Sequence, residues 1–284
     1  MKPKLILCAD LHFRDDQPVC RTDDFFQTQI EAMKWLKALQ VKHDVPVLCS
    51  GDYFHNWKPS PRLLSACLEH MPFVYTIPGN HDLPQHSLDL VGKCGLMTLA
   101  RAKKVHLMLG ELDTLIGFTN NTLFGKSKTH PGLTFEIGVI HTLINHPQTT
   151  TDAKSILKKY KDYDLILSGD NHQTFTEKLG KRLLVNPGSF TRQTASQIDH
   201  KPAVFLWFED NHVEAVEVPI EDNVITRNHL EKVEQRDERM NVFVKRLNDD
   251  YEVELSFENN IEAYFLNNRT RKSVKSLVFE SMEV

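Results

Sequence analysis

Short apolar runs alternate with amphipathic stretches along most of the chain. Leu5 to Cys8, Val45 to Cys49 and Phe73 to Ile77 are continuous runs rich in Val, Ile and Leu. They are too short for helices and read as buried strands. Between the first two, Thr22 to Gln40 places Phe26, Ile30, Met33 and then Leu36 or Lys37 at helical spacing, with Thr22 as N-cap. Ser60-Pro61 opens a second helix, with serine as the cap and proline at the first helical position. The third strand is closed by Pro78-Gly79. This strand–helix–strand rhythm predicts an α/β sheet whose functional loops leave the C-terminal ends of its strands.

The middle of the chain is richer in strands, at Lys104 to Leu109, Thr114 to Phe118 and Leu133 to Ile140. A helix from about Thr151 to Tyr160 then leads into the strand Leu165 to Leu167. From Gln173 the pattern is one of hairpins, turning at Gly180-Lys181 and Asp210-Asn211. Two mixed sheets packed face to face with helices outside, a four-layer sandwich, accommodate this mixture. After about Ile220 the strand rhythm stops. Asn228 to Asn248 reads as a charged helix, Tyr251 to Phe257 as a short strand, and the remainder as helical. The expected organisation is a catalytic domain at 1–220 and a small accessory region at 221–284.

Composition narrows the class. Hydrophobic residues make up 40% and charged residues 25% of 284 residues, as in an ordinary globular protein. The apolar run at the N-terminus is broken by Asp10, which leaves too little for a signal sequence. No stretch approaches the roughly 20 apolar residues of a membrane span. Five cysteines with no Cys-x-x-Cys pair point to buried, reduced thiols and a cytoplasmic protein. A net charge of −4 argues against a protein that coats nucleic acid by bulk electrostatics. It leaves nucleic acid open as a substrate, because bound divalent cations reverse the sign of a carboxylate-rich cleft.

The metal-ligating residue types fall directly after the strands. Leu-Cys-Ala-Asp-Leu-His places Asp10 and His12 past the first, and Leu-Cys-Ser-Gly-Asp-Tyr-Phe-His places Asp52 and His55 past the second. Gly-Asn-His-Asp puts Asn80, His81 and Asp82 past the third. His141 ends a later strand, and Asp170 and His172 follow another. Loops at one edge of a sheet converge, so these residues can share a cleft. Carboxylates, imidazoles and an amide oxygen suit Mn²⁺, Fe²⁺, Zn²⁺ or Mg²⁺, and the lack of a thiolate argues against a structural zinc site. A bridging carboxylate can hold two such ions about 3.5–4 Å apart around a phosphate.

The series Ala-Asp-x-His, Gly-Asp, Gly-Asn-His-Asp, a lone His and Gly-x-x-His resembles the calcineurin-like metallophosphoesterase superfamily over roughly residues 4 to 190. The segment Ser50 to Leu64 and the block Asn186-Pro187-Gly188-Ser189-Phe190 resemble SbcD-type DNA repair nucleases, relatives of the meiotic-recombination-eleven nuclease. The resemblance implies that Asp10, His12 and His172 hold a first metal and that Asp52 bridges to a second held by Asn80 and His141. It implies that His81 lies beside the scissile phosphate and that His55 orients nucleic-acid phosphate. The last block of the family usually reads Gly-His-x-His, and here it is Gly169-Asp170-Asn171-His172. An aspartate there still offers oxygen to a metal and favours a harder ion, so the expected pair is Mn²⁺ first, with Mg²⁺, Fe²⁺ or Zn²⁺ as alternatives.

The function expected from this is a two-metal phosphodiesterase, foremost a DNA exo- or endonuclease subunit. Its partner would be an SbcC-like coiled-coil ATPase docked on the C-terminal region, where Met240, Val242, Phe243, Val244 and Leu247 offer apolar positions. No membrane partner is expected, and a homodimer is left open. The alternative is a phosphoesterase acting on a small molecule or a phosphoprotein, because the same metal site serves both.

Overall fold

The computed structural model describes residues 1–109, 114–119, 122–127, 136–144, 152–230, 236–242, 244 and 257–280, with 114–119, 122–127, 257 and 258 described by their backbone alone. The chain divides into two compact units, Met1–Thr226 and Arg227–Val284.

The first unit is built on two six-stranded sheets. Strands β1 (Leu5–Cys8), β2 (Val47–Cys49), β3 (Val74–Thr76) and β4 (Val105–Leu107) run parallel, one beside the next. The hairpin of β11 (Ala203–Trp207) and β12 (Val213–Glu217) extends this sheet antiparallel from β1. The second sheet has the order β5 (Thr114–Thr119), β6 (Thr122–Ser127), β7 (Ile137–His141), β8 (Leu165–Gly169), β10 (Arg182–Asn186), β9 (Phe175–Leu179). Within it β7, β8 and β10 are parallel. Both expected turns, at Gly180-Lys181 and Asp210-Asn211, fall between paired strands.

Alternation along each strand decides what goes where. Leu5 and Leu7 of β1, Leu48, Phe205 and Trp207 face Ile137, Val139, Leu165, Leu167, Leu183 and Val185 of the other sheet in one core. The intervening residues Ile6, Cys8, Val47, Cys49 and Val204 pack outward under α1 (Phe25–His43), α2 (Pro61–His70) and α3 (Gly95–Arg101). Ile140, Ile166 and Leu184 do the same under α4 (Ala153–Lys159). The result is the four-layer α/β/β/α sandwich expected from the sequence, each buried Leu, Ile or Val adding about 1.5–3 kcal/mol.

Local differences have local causes. Ser60 caps α2 as expected, its hydroxyl accepting from the Leu63 N–H with Pro61 at the first position. Helix α1 instead begins at Phe25, with Asp24 accepting from the Gln27 N–H. Thr22 is drawn to the other end of the unit, where its N–H donates to the Val224 carbonyl at 3.0 Å. The buried face is Phe25, Gln29, Ala32, Met33, Leu36 and Leu39, so at its start the inward phase runs one residue ahead of the Phe26–Ile30 reading. The cause is a buried polar residue: the Gln29 amide brackets the backbone of Arg14, accepting from its N–H at 2.8 Å and donating to its carbonyl at 3.0 Å.

All five cysteines are buried and unbridged. In the second unit, residues 228–230 and 236–242 are helical, followed by helices Phe257–Asn267 and Lys272–Glu280. Residues 251–256 of the expected strand lie outside the described residues, and Phe257 opens a helix rather than ending that strand. Among the described residues no helix is long and apolar enough to cross a membrane.

Candidate metal centre

Because β1, β2, β3, β7 and β8 all present their C-terminal ends to one edge, the loops that follow them meet. The backbone there is held by cross-loop bonds: the Asp10 N–H donates to the Gly51 carbonyl, the His12 N–H to the Asp52 carbonyl, and the Phe190 N–H to the Asp10 carbonyl. Asp10, His12, Asp52 and Asp170 all have positive φ, between 45° and 76°. Non-glycine residues rarely take up that conformation, and such strain concentrates where side chains must be aimed.

Asp52 lies at the middle of the cluster. Its Oδ2 is 3.3 Å from His12 Nε2 on one side and 3.3 Å from His141 Nε2 on the other. His12 Nε2 is in turn 3.1 Å from His172 Nε2, and His141 Nε2 is 2.9 Å from Asn80 Oδ1. The ligand atoms of Asp10, His12 and His172 lie within 4.8 Å of one another, as do those of Asp10, Asp52 and His141. These two groups share Asp10, and Asp52 belongs to the second while also reaching His12 of the first. A third, not anticipated from the sequence, joins His12, His55 and His81 within the same span. Asp170 is at the margin. Its Oδ1 is 3.9 Å from His141 Nε2, and its backbone N–H donates to Asp10 Oδ1 at 3.0 Å.

The electrostatics are those of too many acceptors for the protons available. Burial pushes the Asp10 carboxyl up to about 7, with His141 pulling it back and Asp52 adding to the rise. Asp52 is held well below the usual carboxylate range: burial opposes its charge, but His141, His12 and His81 outweigh that cost. Burial would lower His141, yet the Asp52 carboxylate and its hydrogen bond, with Asp10 and Asp170 behind, raise it to about 10. Burial lowers His12 to about 3, against the pull of Asp52. Asp10 Oδ2 is buried with no hydrogen-bond partner. Asn80 Oδ1 faces only acceptors, whereas its amide turned over would donate to Asp52 at 3.2 Å and His141 at 2.9 Å. The two nitrogens of His12 and His172, the lone Asp10 oxygen and the inward Asn80 oxygen are a donor set that suits divalent cations of intermediate to hard character.

Tautomers are fixed from outside the cluster. His141 Nδ1–H donates to the Ser50 carbonyl at 2.9 Å, which aims Nε2 at Asp52. His81 Nδ1–H donates to the His55 carbonyl at 2.8 Å, and the His81 backbone N–H donates to Asp52 Oδ1 at 3.0 Å. The His81 ring stands edge-on to His12, with centroids 4.8 Å apart.

The amino-acid sequence carries the family as well. The model of the calcineurin-like phosphoesterase superfamily domain matches residues 4–206. The chain belongs to the calcineurin-like phosphoesterase superfamily. It is therefore a hydrolase of the metallophosphoesterase type, from a superfamily that uses divalent metals. Among solved structures, it is similar to a novel archaeal phosphodiesterase, at 13% identity over 75% of this chain and 98% of that one, with a TM-score of 0.42. Zinc-bound Vps29 from Entamoeba histolytica matches at 14% identity, 76% and 99% coverage and a TM-score of 0.33. A predicted phosphoesterase from Streptococcus pneumoniae TIGR4 matches at 13% identity, 76% and 96% coverage and a TM-score of 0.36. No curated protein matches the sequence.

Two residues of this calcineurin-like phosphoesterase hold the cluster without joining it. Asp82 is buried, and its two oxygens accept from the N–H groups of Tyr53 at 3.0 Å, Phe54 at 2.8 Å and Gly79 at 2.9 Å. None of these bonds goes to His81 or to the turn that follows Asp82. Asp82 ties the β3 loop to the β2 loop. Gly79 has a steric role: a Cβ there would sit 2.0 Å from Asp52 Oδ1 and 2.4 Å from Asp52 N. Neither role could be read from spacing, because both depend on contacts across strands.

Proposed function

We propose that this phosphoesterase is a two-metal phosphodiesterase. Asp10, His12 and His172 would hold one ion, Asn80 and His141 the other with Asp170 at its edge, and Asp52 would bridge them. The observation that carries the reading is the position of Asp52, equidistant from the Nε2 atoms of His12 and His141. Divalent cations at such a centre polarise a phosphate and make water acidic enough to attack it near neutral pH. Mn²⁺ is the first expectation, with Mg²⁺, Fe²⁺ and Zn²⁺ as the other fits to oxygen and imidazole donors.

The chain's own contribution is placement and proton transfer. His81, pinned through Nδ1, has Nε2 free to hold a proton for the leaving oxygen. General acid catalysis of this kind adds about 10²–10⁴-fold. His55 lies within the same cluster, half-buried, where burial, Arg14 and His81 lower it to about 4. It is neutral at working pH and would hydrogen-bond a phosphate oxygen rather than pair with it.

We infer further that the phosphodiester is that of DNA, in the manner of SbcD-type nucleases. The segment Ser50–Leu64 supports this, since it brings His55 beside His81. Exposed Met240 and Val242 in the second unit, each more than half accessible, would serve a coiled-coil ATPase partner. Phe243 and Leu247 lie outside the residues whose surroundings are described. The decisive experiment is Mn²⁺-dependent cleavage of end-labelled single- and double-stranded DNA beside bis(p-nitrophenyl) phosphate, with Asp52→Ala as control. DNA cleavage absent from the control is the expected result. Turnover of the small ester alone would replace DNA by a small-molecule substrate, and no turnover of either would end the phosphodiesterase reading.

A further inference from the structure

The loop that follows β10 grips the cluster on one side. The Ser189 N–H donates to the His172 carbonyl at 3.1 Å and the Phe190 N–H to the Asp10 carbonyl at 3.2 Å. Gln193 Nε2 donates to the His12 carbonyl at 2.9 Å. His172, Asp10 and His12 are the three residues assigned above to the first ion. Among the described residues, no hydrogen bond from this loop reaches Asn80 or His141.

The histidines of the two ions are oriented by different means. His141, on the second side, has the usual outside partner of a metal-binding imidazole, its Nδ1–H donating to the Ser50 carbonyl. His12 Nδ1 is buried and, among the described residues, has no hydrogen-bond partner. The direction of the His12 ring therefore has to come from its backbone, which sits at a φ of 45° that residues other than glycine rarely adopt. That backbone is held at both polar groups. Its N–H donates to the Asp52 carbonyl at 2.8 Å, and its carbonyl accepts from Gln193.

Gln193 is itself built in. Its amide oxygen faces Arg14 Nη1 at 3.4 Å, and its nitrogen also donates to Thr191 Oγ1 at 2.9 Å, which fixes the way the amide points. Its backbone N–H donates at 2.7 Å to Oε1 of the buried Gln197, whose Nε2 donates to Ser189 Oγ at 2.8 Å. The Gln197 amide thus joins the two ends of the grip.

Resting on the two-ion reading above, we propose that Gln193 is a positioning residue for the first ion, acting through the His12 backbone to aim its Nε2 into the cluster. Loss of the Gln193 amide should loosen the first ion and spare the second, whose histidine keeps its own partner at Ser50.

The test is calorimetric titration of the metal-free protein with Mn²⁺. Uptake of two ions is expected in the wild type. They are told apart by His172→Ala, which removes a ligand of the first ion only, and by His141→Ala, which does the same for the second. Gln193→Met keeps the length of the side chain and lacks the donor. It should weaken the first ion roughly tenfold or more, in the range usual for losing a group behind a metal ligand, and leave the second unchanged. Gln193→Ala removes the amide without crowding the loop and should give the same split, with thermal unfolding in the absence of metal confirming that both variants are folded. A merely structural role would weaken both ions together. Equal weakening, or an unchanged first ion, would overturn the proposal and leave the two-ion reading standing. Uptake of fewer than two ions by the wild type would overturn both.

Discussion

At the scale of single residues, the cluster is arranged around Asp52, and its neighbours act by geometry more than by charge. Gly79→Ala tests this. A methyl group 2.0 Å from Asp52 Oδ1 must displace either that carboxylate or the β3 loop. We expect metal affinity to fall roughly 10- to 100-fold, the usual cost of disturbing a group behind a metal ligand, measured by calorimetric titration with Mn²⁺. Affinity unchanged from wild type would mean that Asp52 does not bind the metal. His81→Ala should act oppositely. Its ring is held by the His55 carbonyl, and its loss should leave metal affinity nearly intact while lowering kcat about 10²–10⁴-fold. The candidate residues themselves were legible in the sequence because each follows an apolar run. Asp82, by contrast, was visible as a residue but not as a tie, since its partners Tyr53 and Phe54 lie 29 and 28 positions away.

Elements explain why those residues converge. Five parallel strands end at one edge, and the loops there are linked by backbone bonds and by the Asp82 carboxylate. Asp82→Ala would strand three buried N–H groups, each costing about 1–3 kcal/mol when left without an acceptor. We expect a loss of about 3 kcal/mol or more in urea unfolding, together with weakened metal binding, whereas a change under 1 kcal/mol would show that the loops hold without it. The strands of the first sheet and the two hairpin turns followed from apolar runs and turn residues, whereas the order of strands within each sheet did not. The start of α1 did not, because a buried glutamine reads as an outward position in a pattern built on polarity. Gln29 is inside only because the Arg14 backbone offers it both a donor and an acceptor.

For the molecule as a whole, the protons of the cluster link metal binding to stability. His141 is raised to about 10 by Asp52, so in the metal-free fold it keeps a proton that the unfolded chain releases near 6.5. A folded pKa above the unfolded one gives stability that is complete below about 6.5 and is lost as pH climbs through about 10. Asp10 and Asp82, both pushed up to about 7 by burial, act in the same direction until they are ionised. The metal-free protein should therefore lose stability from pH 7 to 10. A divalent cation takes over the charge that the His141 proton supplies, so the loaded protein should lose less. Its uptake should release protons near neutral pH, and calorimetry in two buffers of different ionisation enthalpy would count them. At a free Mn²⁺ concentration 100 times its dissociation constant, one bound ion adds about 2.7 kcal/mol to the fold. Thermal unfolding should accordingly shift upward with Mn²⁺ in the wild type and scarcely in Asp52→Ala, and the gap should widen as pH rises. An equal shift in both proteins would place the ion somewhere other than between His12 and His141.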